Sequence, residues 1–195
     1  MEYKIFFGYI AVFVEFISYF VYLHSIYKGH TKPHAFTWFV WGILGSVAFA
    51  AIAVSGGESG SWIFLVNAFF CFLISGIGFW QKHVEYDLHD WAALLGAIVG
   101  ITLWWYTHIP LYAVILVSLS DFVGIIPSVR KAYRFPFEEN LLSWFLGFLY
   151  YPLGILALES FTVTTWLYPA VIMLADAFLI LVIILQRRKQ KVVNS

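Results

Sequence analysis

Residues 62–80 read WIFLVNAFFCFLISGIGFW, an apolar run without a charged residue, closed by Gln81 and Lys82. A helix needs roughly 17–25 such residues to cross about 30 Å of hydrocarbon, and this run meets both requirements. Working outward, similar runs precede it at Ile5–Ser25 and Phe36–Val54, and follow it at Trp91–Tyr106, Leu111–Val129, Leu141–Leu158 and Val163–Leu185. With 62% apolar residues, 11% charged residues and a mean hydropathy of +0.85, the 195-residue chain has too little polar surface to coat a water-soluble globule. The expected class is all-α integral membrane, with seven transmembrane helices.

The cations give those crossings a direction. Lys28, Lys32, Lys82, Arg130, Lys131, Arg134, Arg187, Arg188, Lys189 and Lys191 fall on one side, and Lys4 alone falls on the other. Positive residues in short loops stay in the cytoplasm, so the expected placement is a plasma or inner membrane, N-terminus outside and C-terminus inside. Glu15 interrupts the first run and no small-x-small site follows it, so it reads as the first crossing rather than a cleavable signal. The single Cys71 cannot form an intrachain disulfide and reads as packing. A formal net charge of zero points to no nucleic-acid partner.

A shift of 106 residues lays Glu15-Phe16-Ile17 on Asp121-Phe122-Val123, Tyr27-Lys28 on Tyr133-Arg134, and Thr37-Trp38-Phe39 on Ser143-Trp144-Phe145, without a gap. Both copies place an acid in mid-helix, a basic helix end and a hydroxyl-Trp-Phe start to the next helix. The expected organisation is therefore a parallel repeat of two three-helix bundles joined by a linker helix, 3+1+3, with its pseudo-twofold along the membrane normal. Residues 1–80 form the first bundle, 81–107 a cytoplasmic loop and the linker, and 108–195 the second bundle and a basic tail.

This arrangement, with Pro127-Ser128-Val129-Arg130 leading to Asn140-Leu141-Leu142-Ser143, resembles the PQ-loop superfamily, which includes the SWEET-like sugar transporters and the lysosomal cystine and cationic amino-acid exporters. Ser128 occupies the position of the family's Gln, and Val21 that of its first-repeat Pro. The stretch Lys32-Pro33-His34-Ala35-Phe36-Thr37-Trp38 also resembles a motif of uncharacterised bacterial membrane proteins, and that likeness implies no function. The superfamily resemblance implies solute transport. Its exporters couple to protons through aspartates, whereas its sugar carriers surround the solute with Asn and Trp. Asn67 looks like the sugar-carrier asparagine, and helix seven offers Asp176.

Glu15, Asp121 and Asp176 lie near the middle of their runs, where an acid costs a few kcal/mol unless it faces a polar interior. Ser118, Gly124 and Ser128 share a face with Asp121; Ser18, Tyr22 and Ser25 share one with Glu15; and Thr165, Pro169 and Asp176 align on helix seven. These faces, with Asn67, are expected to converge on a central polar path. Desolvation disfavours the charged form of a carboxyl, which is the physical basis for proton coupling. The alternative use of such acids is hydrogen bonding to hydroxyls across helices.

Trp62, Trp80, Trp91, Trp104 and Trp105 read as interface anchors. Trp38, Trp41 and Trp144 read as an inner gate or as faces that stack on a flat solute. Pro127, Pro152 and Pro169 each remove a helical hydrogen bond inside a run and are candidate hinges. Gly42, Ser46 and Ala50 form a small-residue strip suited to helix packing or to a homo-oligomer contact. His83, Glu85, Asp87, His89 and Asp90 match no metal spacing and read as a solvated loop, and Arg187–Lys191 as a tail on anionic headgroups. No nucleophile and base pair, cofactor loop or metal pattern is evident, so an enzyme is not expected.

The expected function is alternating-access transport of a small polar solute, with proton coupling through the carboxyls. Two alternatives stay open. One is an uptake facilitator resembling the nicotinamide riboside carriers, with the solute ring between Trp38 and Trp41. The other is a non-transporting membrane receptor or scaffold.

Overall fold

The computed structural model describes residues 2–82 and 88–193, and all regular secondary structure among them is helical. The elements are α1 (Glu2–Tyr27), α2 (Ala35–Ile52), α3 (Trp62–Trp80), α4 (Leu88–Thr107), α5 (Pro110–Gly124), α6 (Ile126–Arg134), α7 (Leu141–Leu156) and α8 (Val163–Val193). Five helical stretches are long and apolar enough to cross a membrane: Glu2–Tyr27, Ala35–Trp80, Leu88–Thr107, Pro110–Arg134 and Val163–Gln190; α7 is a shorter apolar helix. The outward faces agree with embedding. Phe13, Phe69, Leu95, Phe122 and Leu174 are each more than 60% exposed, an apolar surface suited to lipid rather than to water.

The 46-residue stretch Ala35–Trp80 doubles back in its middle. Gly56 adopts φ 83°, in the left-handed region that glycine enters without a Cβ penalty, and Glu58 follows at φ 43°. The turn is tied down by Ser160 N–H, which donates to the Gly56 carbonyl at 2.9 Å. α2 and α3 consequently pack along one another.

Helix packing comes in matched pairs. α3 packs on α2 and α1, and α8 packs on α7 and α5. Across these groups α1 meets α7 and α2 meets α5, while α4 lies against α5 and α2. Shifting by 106 residues exchanges the α1–α7 contact for the α5–α2 contact. The helix starts match as well. His34 caps α2 at φ −81°, ψ 96° by accepting from Thr37 N–H, and Asn140 caps α7 at φ −85°, ψ 94° by accepting from Ser143 N–H. Each side chain satisfies a backbone donor that the helix itself cannot.

Several expectations are corrected. The fifth apolar run is two helices, α5 and α6, broken at Ile125 just before Pro127, whose ring cannot supply a helical N–H. The eighth helix continues past the expected end at Leu185, and Arg187 is structural. Its Nε donates to the Pro136 carbonyl at 3.0 Å and its Nη2 to the Glu139 carbonyl at 2.7 Å, with the guanidinium 5.4 Å from the Phe137 ring centroid. Asp90 is not solvated: it is fully buried in the first turn of α4 and accepts a 2.7 Å hydrogen bond from Thr37 Oγ1. This bond fastens the start of α4 to the start of α2, and His34 Nδ1 lies 3.6 Å from the same carboxyl. His83, Glu85 and Asp87 lie outside the described residues.

The small-residue strip is also used differently. Ser46 is exposed, and the close approach to α3 is made by Gly42, where an added Cβ would meet Phe72, and by Gly45, where it would meet Asn67 Oδ1 at 2.7 Å. Among the proposed anchors, Trp80 and Trp105 are largely exposed, whereas Trp104 packs against the core.

Candidate functional site

α1, α2, α3, α5, α7 and α8 line a central cavity of about 70 Å³. Asn67, Asp121 and Asp176 line it, together with Ser18, Cys71, Ser143 and eight aromatic side chains. Asp121 is 6% exposed and Asp176 5%, and among the described residues neither carboxyl makes a hydrogen bond or an ion pair. No Lys, Arg or His among the described residues lines the cavity. A buried carboxylate without donor or cation is costly, and an arriving proton or bound cation removes that cost.

Close backbone approach places these groups. Gly147 on α7 leaves room for Asp176: a Cβ there would sit 3.2 Å from Asp176 Oδ2. Its counterpart under the 106-residue shift is Trp41, whose indole nitrogen approaches Gly124 on α5. Gly45 makes room for Asn67, whose Nδ2 donates to Tyr19 Oη at 2.7 Å and whose Oδ1 lies 3.7 Å from Cys71 Sγ. Tyr19 in turn stacks on Phe70, with ring centroids 4.6 Å apart.

α1 and α7 are clasped beside the cavity. Ser18 Oγ donates to the Ser143 carbonyl at 2.8 Å, and Ser143 Oγ donates to the Ser18 carbonyl at 2.9 Å. This reciprocal pair uses the hydroxyls to satisfy main-chain oxygens across a helix interface.

A second, larger space of about 360 Å³ lies at the basic helix ends. Lys32, His34, Pro127, Ser128, Arg130, Lys131 and Arg134 line this vestibule. Tyr22, Trp38, Trp41 and Trp144 line both spaces and form the layer between them. Trp38 and Trp41 meet edge to face at 5.3 Å, Trp41 and Trp144 at 6.3 Å, and Tyr22 lies 4.9 Å from Trp38. The Trp41 indole N–H is buried without a partner. Trp144 is held from the vestibule side: its Nε1 donates to Glu139 Oε2 at 3.0 Å, and Glu139 Oε1 pairs with Lys131 Nζ at 2.9 Å. Lys131 also donates to the Lys32 carbonyl at 3.1 Å, bringing α6 to the α1–α2 connection.

The remaining expected residues lie elsewhere. Glu15 is fully buried but does not line the cavity, and neither of its oxygens has a hydrogen-bond partner among the described residues. Ser118 donates to the Val114 carbonyl at 2.7 Å within its own helix. Thr165 belongs to the start of α8, where its hydroxyl donates to the Ser160 carbonyl at 2.7 Å. Pro127 sits at the α5–α6 break, and Pro152 and Pro169 lie inside α7 and α8. Glu139 and the tyrosines Tyr19, Tyr150, Tyr151 and Tyr168 were not anticipated. Nothing in their spacing separates the lining tyrosines from interface tyrosines.

Among the described residues, no three His, Cys, Asp or Glu side chains come together to hold a metal. Compared with known proteins, the chain matches no family model, no curated protein and no solved structure.

Proposed function

We propose that the chain is a membrane carrier that moves a small polar solute by alternating access, with Asp121 or Asp176 carrying a proton through the cycle. In this reading α1–α3 and α5–α8 are two three-helix bundles, α5 and α6 together making one crossing and α4 serving as the linker, seven crossings in all. The matched packing pairs and the paired N-caps at His34 and Asn140 support that arrangement. The PQ-loop, SWEET-like likeness belongs to the same proposal and rests on the repeat and on the Pro127–Ser143 stretch. The orientation, with the basic ends cytoplasmic in a plasma or inner membrane, rests on the segregation of the cations.

The observation that carries the reading is the cavity itself, formed between helices of both halves of the chain and lined by two unpartnered carboxyls. Structural acids in a bundle are expected to be bonded to hydroxyls across helices, and these two are not. The aromatic layer supplies the inner barrier that alternating access needs, and the break at Ile125 and the prolines of α7 and α8 supply places to bend. The test is solute uptake by proteoliposomes across a pH series. Asp121→Asn or Asp176→Asn is expected to abolish the pH dependence, and pH dependence unchanged in both variants would overturn the proton role.

A second reading, an aromatic-cavity facilitator for a vitamin or nucleoside, is favoured by the buried, unpartnered Trp41 N–H beside Trp38. Loss of binding in Trp38→Ala with full binding in Asp121→Asn would select it.

A further inference from the structure

The chemistry of the cavity wall restricts what it can hold. Asp121 and Asp176 present two buried carboxyls to the same cavity, neither with a donor among the described residues. No basic side chain among the described residues reaches the cavity to receive a carboxylate or phosphate. The vestibule cations do not substitute for one, because the layer of Tyr22, Trp38, Trp41 and Trp144 stands between. A bare metal ion fits poorly too. A hard cation takes about six oxygens, whereas no three His, Cys, Asp or Glu side chains gather among the described residues and eight of the seventeen lining residues are aromatic. Aromatic rings with carboxyls and without competing cations are the surroundings in which an alkylammonium group is held, by ring quadrupoles and by charge.

We propose that the central cavity takes a small organic ammonium ion lacking an acidic group of its own, held between Asp121 and Asp176 and against the rings of Trp38, Tyr19 and Tyr168. This rests on the carrier reading for its purpose, although the binding site stands or falls on its own geometry. Binding such an ion supplies the counter-charge that the two carboxyls lack.

The test uses the full chain purified in detergent, with choline as the probe and its uncharged carbon isostere, dimethylbutanol, and glutamate as controls. Ligands that bind the native state raise the melting temperature by mass action. Choline is expected to raise it at matched ionic strength, and the two controls are not. In Asp121→Asn and Asp176→Asn the apparent affinity for choline is expected to fall about tenfold or more. Trp38→Phe, which keeps a ring, is expected to retain most of the shift, providing a comparison if an Asn variant fails to fold. Equal shifts with dimethylbutanol, no shift with choline, or an undiminished shift in a folded Asn variant would overturn the proposal. Proteoliposome flux separates the two readings. Choline binding without flux would remove the carrier function and leave the cation site standing, whereas flux of an uncharged solute without choline binding would do the reverse.

Discussion

The reciprocal clasp between Ser18 and Ser143 predicts an unusual pattern of mutational energies. Each hydroxyl donates to the other residue's carbonyl, at 2.8 and 2.9 Å, so Ser18→Ala removes one bond and leaves the other in place. Interhelical hydrogen bonds in membrane proteins contribute about 0.6 kcal/mol on average, up to about 1.7 kcal/mol. Each single alanine variant should therefore cost roughly 0.6–1.7 kcal/mol, and the double variant close to the sum. Direct coupling is confined to the 3.2 Å contact between the two hydroxyl oxygens, so the interaction energy should stay below about 0.5 kcal/mol. The assay is reversible unfolding of the purified protein in mixed micelles, with both singles and the double variant at one temperature. A single variant as unstable as the double would refute the geometry, because it would mean that the two hydroxyls bond mainly to each other.

Three further outcomes follow from close contacts. Gly45→Ala places a Cβ 2.7 Å from Asn67 Oδ1, so the amide must shift and its bond to Tyr19 weakens; stability should fall by about 1–3 kcal/mol in thermal or denaturant unfolding. Thr37→Val withdraws the 2.7 Å hydrogen bond to the buried Asp90 carboxyl and should cost about 1–3 kcal/mol, while Thr37→Ser, which keeps the hydroxyl, should cost much less. Glu139→Gln weakens both the Lys131 pair and the hold on the Trp144 indole; indole fluorescence should become more accessible to a water-soluble quencher, and an unchanged quenching profile would show that Glu139 does not position Trp144.

Much of the membrane class was legible in the sequence because a long run without charge has few alternatives to spanning lipid. The runs at residues 62–80 and 141–158 match α3 and α7 to within two residues at each end. The fifth run was harder to read, since a proline near its end does not reveal from sequence alone whether the helix bends or breaks. Asp121 and Asp176 stood out because a charge is conspicuous in an apolar run, and the cavity contains both. Glu15 carried the same signal, yet lies outside the cavity wall, because helical phase is read only relative to neighbours that the sequence does not place. Ser18 and Ser143 were visible as polar residues, but their pairing spans 125 positions and depends on α1 meeting α7. Gly45 and Gly147 matter for the space they leave to Asn67 and Asp176, a property of the opposing helix. Asp90 appeared to belong to a polar loop because its neighbours in sequence are polar, whereas its partners come from the start of α2.

In the proposed carrier, the cavity beside Asp121 is a path that opens to one side at a time, and Cys71 is a built-in probe of it. This sole cysteine lines the cavity and is 1% exposed, so labelling requires the path to open. The decisive measurement is the rate at which a membrane-impermeant thiol reagent modifies Cys71 in sealed vesicles, from each side separately, in the native chain and in Trp38→Ala. Measurable labelling is expected from both sides, with the rate from the basic side rising when the Trp38 ring is removed. A Cys71 that stays unmodified from both sides, yet reacts fully once the protein is unfolded, would contradict the carrier reading.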